Sequence, residues 1–209
     1  MRSIRDRFFR RAAFAIAMAG ATAAFSATAG MAVAVSVPAD TAQSVQRTPD
    51  GLIAVGQAAP GFAVPDGSGR VVRLADFRGH PLVLYFYPKD DTPGCTKEAC
   101  SFRDDFAGFD SLGVRVVGVS VDDPASHRAF AGKHNLHFPL LADTTATVVR
   151  LYGAGVEFEQ SGKQRWIARR VTYLIDPGGV VRRVWPKVNP VGHSSEILGA
   201  WREMTTGAR

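Results

Sequence analysis

Two cysteines, Cys95 and Cys100, are all the sulfur nucleophiles this 209-residue chain has, and both fall in the stretch YPKDDTPGCTKEAC (residues 87–100). A loop of proline, aspartate and glycine leads there into a segment in which Ala99, Phe102, Phe106 and Phe109 recur three and four apart. That spacing predicts a helix from Pro93 to about Phe109. Cys95, just after Pro93-Gly94, then lies in its first turn, where unpaired backbone N–H groups and the helix dipole favour an anion. The reactive form of cysteine is the thiolate.

A cysteine pair in an exported protein is often a structural staple. The spacing argues against one here. Residues i and i+5 of an intact helix have Cα atoms about 8.7 Å apart, and a disulfide needs less than about 7 Å. So small a loop would also add little stability. A reactive thiol with a partner close enough to attack its oxidised form fits better. Thr92 can aim a hydroxyl at the first sulfur, and Pro88 stiffens the loop and shields one side. Lys89-Asp90-Asp91 reads as a solvated turn and Glu98 as a helix-surface charge. His134 and His137 are a weak metal signal without a patterned third ligand. Trp166, Trp185 and Trp201 read as packing residues. Arg169 and Arg170 must point to opposite faces of a strand, so at most one can reach the site.

Pro88, Thr92 and Cys95 form P-x-x-x-T-x-x-C, which resembles the active-site motif of the peroxiredoxins. The second cysteine after four intervening residues resembles the bacterioferritin-comigratory, or Q-type, subfamily. Gly56–Phe62, Leu74–Gly79, Val117–Asp122 and Arg170–Asp176 are similar to further segments of that family, and the likeness runs from about residue 54 to 206. The resemblance implies a thioredoxin-like fold and reduction of hydroperoxides without metal or organic cofactor. By position it implies Cys95 as the peroxidatic nucleophile, with Thr92 bonding the peroxide and Pro88 excluding water. Arg170 would hold the thiolate and polarise the O–O bond, and Cys100 would be the resolving cysteine. It further implies recycling by an external dithiol such as thioredoxin. A thiol–disulfide oxidoreductase is the nearest rival, but C-x-x-x-x-C replaces its usual C-x-x-C. A copper chaperone of similar fold would not need the threonine and proline.

The elements that must position these residues alternate. Strands are predicted at 70–74, 81–87, 114–121 and 138–141, helices at 93–109, from Asp123-Pro124 and at 145–152, and a hairpin at 170–185 across Asp176-Pro177-Gly178-Gly179. Ser194 or Ser195 is expected to cap a final helix through Trp201. The order predicts an α/β domain, a mixed central sheet with helices on both faces. Residues 54–206 suffice for a full core without a disulfide.

The formal charge of +6 raises nucleic acid as a partner, but five arginines and one aspartate in the first eleven residues carry most of it. The remainder is too weakly basic for a nucleic-acid footprint. No charge follows Arg11 until Asp40. A basic start, an Ala-rich run and the small-x-small sequences Ala27-Thr28-Ala29 and Val37-Pro38-Ala39 are the layout of a signal peptide. The run is also long enough for an uncleaved membrane anchor. Residues 1–39 are therefore expected to export the domain, to the periplasm or the outer side of the inner membrane, with 40–53 as a linker. A cysteine that resolves within its own chain needs no dimer, so a monomer is expected.

Overall fold

The computed structural model describes residues 45–206; the expected leader lies outside them. Among the described residues no helix is long and apolar enough to cross a membrane. The chain runs β1 (Ala63–Pro65), β2 (Val71–Arg73), a 3-10 turn (Leu74–Phe77), β3 (Leu82–Phe86), α1 (Pro93–Asp104), α2 (Phe106–Ser111), β4 (Arg115–Ser120), α3 (Pro124–His134), β5 (Leu140–Ala142), α4 (Thr147–Leu151), β6 (Gly155–Gln160), β7 (Lys163–Ala168), β8 (Val171–Ile175), β9 (Val181–Trp185) and α5 (His193–Thr206).

The central sheet has the order β5-β4-β3-β8-β9. β3 pairs in parallel with β4 and antiparallel with β8, so the sheet is mixed, as the alternation predicts. β3 is apolar at every position because both of its faces are covered. Leu82, Leu84 and Phe86 join α4 and Tyr173 on one side. Val83, Tyr85 and Tyr87 meet Cys95, Ala99 and Phe102 of α1, Phe130 of α3 and Ile197 of α5 on the other. The period-two pleat of one strand thus divides the core in two, and the reactive helix lies on the second side.

Several expectations need correction. The helix foreseen over 93–109 breaks at Asp105, with α2 starting anew. Asp105 accepts hydroxyl bonds from Ser194 at 2.7 Å and Ser195 at 2.9 Å. Those serines lie inside α5 rather than capping it, and the first turn closes on the Gly192 carbonyl. The foreseen linker is partly core: Leu52 and Ile53 are buried, and Arg47 bridges Ile53. The β6–β7 hairpin falls where no strand was expected. Its two-residue turn has Ser161 and Gly162 both at positive φ, 53° and 71°, which suits the twist of a tight hairpin. The Asp176–Gly179 hairpin forms as foreseen, with Asp176 N–H donating to the Val180 carbonyl at 2.9 Å.

Candidate active site

α1 starts where proline dictates. Thr92 is its N-cap in extended backbone and Pro93 the first helical residue, where a missing N–H costs nothing. Thr96 N–H donates to the Thr92 carbonyl at 2.8 Å, which closes the first turn. Cys95, one residue earlier, keeps its N–H among the unpaired donors of that turn. Its side chain is buried, and both cysteines are free thiols within one continuous helix. The Thr92 hydroxyl donates to the Lys89 carbonyl at 3.0 Å rather than capping the helix, so Thr92 clamps the loop that begins at half-buried Pro88.

Arg170, just before β8, bridges two groups of α1. Its Nη2 donates to Cys95 Sγ at 3.4 Å, and its Nη1 donates to Glu98 Oε2. Arg169 points the other way, its guanidinium donating to the carbonyls of Gly153 and Asp50. The alternation argument holds, and Arg170 is the arginine at the sulfur. Gly94 makes room for it: a Cβ there would stand 3.1 Å from Arg170 Nη2.

Glu98 corrects the sequence reading. It is fully buried, and burial pushes its carboxyl up to about 7, against the pull of Arg170. Its second oxygen has no partner. Three residues beyond Cys95 places it on the same helix face, and the buried neighbour Ala99 was the other available signal.

The loop is anchored from below by Asp90, read from sequence as solvated and buried in fact. Its carboxylate accepts from Tyr87 Oη at 2.8 Å and Ser126 Oγ at 2.7 Å, and contacts His127 Nδ1 at 2.8 Å. Its N–H donates to Asp122 at 2.9 Å. The His127, Ser126 and Tyr87 contacts outweigh burial and hold the Asp90 carboxyl below its usual value. Asp90, Asp122 and His127 form the cluster of metal-ligand types among the described residues. The Asp90 oxygens are already taken by hydrogen bonds, so the cluster serves the loop.

The geometry brings together Cys95, Arg170 and the unforeseen Glu98. Pro88 and Thr92 stand in the adjoining loop, and Cys100 lies one and a half turns further along the helix. Such a site can hold a sulfur anion against a fixed cation beside free backbone donors.

Known proteins agree with this chemistry. Residues 55–184 match the model of the AhpC/TSA family. A putative peroxiredoxin of the bcp type from Coxiella burnetii is 48% identical over 147 residues, covering 70% of this chain and 97% of that protein. The chloroplastic peroxiredoxin Q of Populus jackii is 40% identical over 164 residues, covering 78% of this chain and 74% of the relative. Among solved structures, a peroxiredoxin Q from Xanthomonas campestris superposes with a TM-score of 0.63 at 37% identity, over 68% of this chain and 90% of its own. The thioredoxin-like α/β fold implied by the motif is therefore the observed one. With a buried thiol, a bridging guanidinium and a likeness to these enzymes over more than two thirds of its length, the chain belongs to the AhpC/TSA family as a peroxiredoxin, a hydroperoxide-reducing enzyme akin to the Bcp and Q-type proteins.

Proposed function

We propose that this peroxiredoxin works through Cys95 as peroxidatic and Cys100 as resolving cysteine. The contact of Arg170 with both Cys95 and Glu98 is the observation that carries the reading. The Cys95 thiolate attacks one peroxide oxygen, the O–O bond breaks, and the leaving oxygen departs as water or alcohol. Cys95 is left as the sulfenic acid. Arg170 and the Cys95 N–H supply donors where negative charge grows on oxygen, and Thr92 and Pro88 shape the approach and exclude water. Cys100 then displaces the sulfenic oxygen as water, giving an intramolecular disulfide. The helix must open for this step, because its cysteines are too widely spaced to bond while it is intact.

An external dithiol of the thioredoxin type returns the disulfide to two thiols. A groove of about 450 Å³ runs beside α1, bordered by Pro93, Thr96, Lys97, Cys100 and Val191, and offers such a partner access to the Cys100 side. The basic start, Ala-rich run and small-x-small sequences of residues 1–39 support export and hence an envelope dithiol as reductant, and a cysteine that resolves within its own chain supports a monomer. Metal and organic cofactors have no part in the scheme.

Peroxide consumption by the purified protein, with a dithiol protein supplied, tests the division of labour. Cys95→Ser should abolish consumption. Cys100→Ser should allow one turnover and then stall with a sulfenic acid on Cys95, which excess peroxide drives to sulfinic acid. Equal loss of the first turnover in both variants would refute the assignment.

A further inference from the structure

We propose that His134, oriented by Asp91, is the general base that activates Cys100 for disulfide formation; the role rests on the two-cysteine reading above. Three segments converge to build the array: the second turn of α1, the last residue of α3 and the loop before α1. Cys100 Sγ lies 4.0 Å from His134 Nδ1, and His134 Nε2 lies 3.3 Å from Asp91 Oδ1. The order is thiol, imidazole, carboxylate.

The carboxylate decides which ring nitrogen faces the sulfur in working form. An ionised carboxylate only accepts, so its bond to Nε2 requires that nitrogen to carry the proton. In the neutral ring the lone pair is then on Nδ1, towards the thiol. Lys133 Nζ donates to the same Asp91 oxygen at 2.7 Å, and with His134 it holds the Asp91 carboxyl below its usual value. Asp91 also adopts φ 55°, a left-handed conformation that costs an ordinary residue about 1 kcal/mol or more. The imidazole is fixed in turn. It stands edge-on to Phe130, with ring centroids 5.0 Å apart, and the His134 carbonyl accepts from Arg103 Nη1 at 2.8 Å. Asp91, Lys133, Arg103 and Cys100 are thus the charged and titratable groups around the ring. The Arg103 guanidinium is itself paired with the Asp104 carboxylate, at 2.7 Å, so Asp104 is a further charged group on this side of the ring.

A resolving thiol has reason to need a base. The attacking form of a thiol is the thiolate. Cys95 has the helix N-terminus and Arg170; Cys100, in the second turn, is beyond the orphan N–H groups. In the closed helix His134 Nδ1 takes the Cys100 proton, and the thiolate then moves to Cys95 as the helix opens. The sulfur's electron pair forms the bond to Cys95 sulfur as the S–O bond of the sulfenic acid breaks. The oxygen takes a proton from solvent and leaves as water, and the imidazolium returns its proton to solvent. Cys100 is oxidised and Cys95 reduced; one thiol and one sulfenic acid become one disulfide and one water. His134 touches the reacting thiol and is catalytic for resolution, whereas Asp91 is a positioning residue.

The test oxidises the reduced protein with one equivalent of hydrogen peroxide. Mass spectrometry of acid-quenched samples then separates sulfenic acid from disulfide. In His134→Gln, sulfenic acid should accumulate, with disulfide formation about 10- to 100-fold slower at pH 7. The gap should close towards pH 9, where hydroxide replaces the base. Asp91→Asn should show a smaller slowing with the same pH trend. Slowing by one constant factor at all pH values, or none, would overturn the proposal. A second measurement does not depend on peroxide chemistry. In Cys95→Ser the only thiol is Cys100, and its alkylation by iodoacetamide below pH 8 should slow on adding His134→Gln; coincident pH–rate curves would also overturn it. If the unsubstituted protein forms sulfenic acid but no Cys95–Cys100 disulfide, the two-cysteine reading fails and the base falls with it.

Discussion

Cys95 and Cys100 share one helix, yet their surroundings differ in kind. Cys95 is sealed against the sheet beside an arginine and a carboxylate that is wholly buried. Cys100 is half-exposed on a groove and borders an imidazole and a surface carboxylate. The first environment is stiff: moving any member leaves a charge without its partner in the interior. The second is wet, and its members can part at little cost. Under the proposed division of labour, rigidity lies at the sulfur assigned to the oxidant and latitude at the sulfur assigned to travel.

The sharpest way to break this contrast is to empty the buried pair. Arg170→Ala leaves Glu98 alone in the core, and urea denaturation at pH 8 should show a loss of about 3 kcal/mol or more, with the peroxide step slowed as well. Arg169→Ala removes hydrogen bonds to backbone carbonyls only and should cost about 1–2 kcal/mol without touching the peroxide rate. Equal effects on that rate would erase the distinction between the two arginines.

Glu98→Gln sharpens it. The folded-state value of about 7 exceeds the reference value of 4.5, so between these pH values the folded protein binds more protons than the unfolded one. Stability from this group is complete below about pH 4.5 and is lost as pH rises through about 7. The glutamine variant should lack that decline, which should be on the order of 1–3 kcal/mol. Denaturation at pH 5 and pH 8 measures it, and parallel profiles for the two proteins would place the proton elsewhere.

The smallest effect belongs to Gly94→Ala. Alanine favours the helix by about 0.5–1 kcal/mol, but its Cβ presses on Arg170 Nη2 at 3.1 Å. Stability should change by less than about 1 kcal/mol, while the guanidinium shifts and the peroxide reaction slows about two- to tenfold. Stopped-flow kinetics of Cys95 oxidation check this.

Where the sequence is legible, local chemistry sets the outcome. Pro93 and Gly94 fix the start of α1, the uninterrupted apolar run 81–87 marks the central strand, and Asp123 caps α3 by accepting from Ser126 N–H. Glu98 was illegible because a charge between Lys97 and Ala99 looks solvated until Arg170, 72 residues away, is known to meet it. The same holds for Asp90, whose partners come from Tyr87 just after β3, from α3 and from the loop after β4. The β6–β7 hairpin escaped because most of GVEFEQ and KQRWIA faces solvent, and the one short apolar run, Trp166–Ala168, is too brief to read as a strand. Leu52 and Ile53 escaped because two apolar residues in a polar stretch show no period. Tertiary contact, not local propensity, decides Glu98, Asp90 and the Leu52–Ile53 pair.

Asp105 has a last consequence. Without glycine or proline, the chain interrupts its helix there, and two serines of α5 tie the joint. Unwinding that spreads from Cys100 towards Asp104 therefore meets a seam there. The residues beyond it belong to another helix, with Phe109 fixed in the core. Local melting is confined to units with few ties to the rest, so on the proposed scheme the seam acts as a firebreak: the stretch around Cys100 opens and re-forms while the spread of disorder stops at one aspartate.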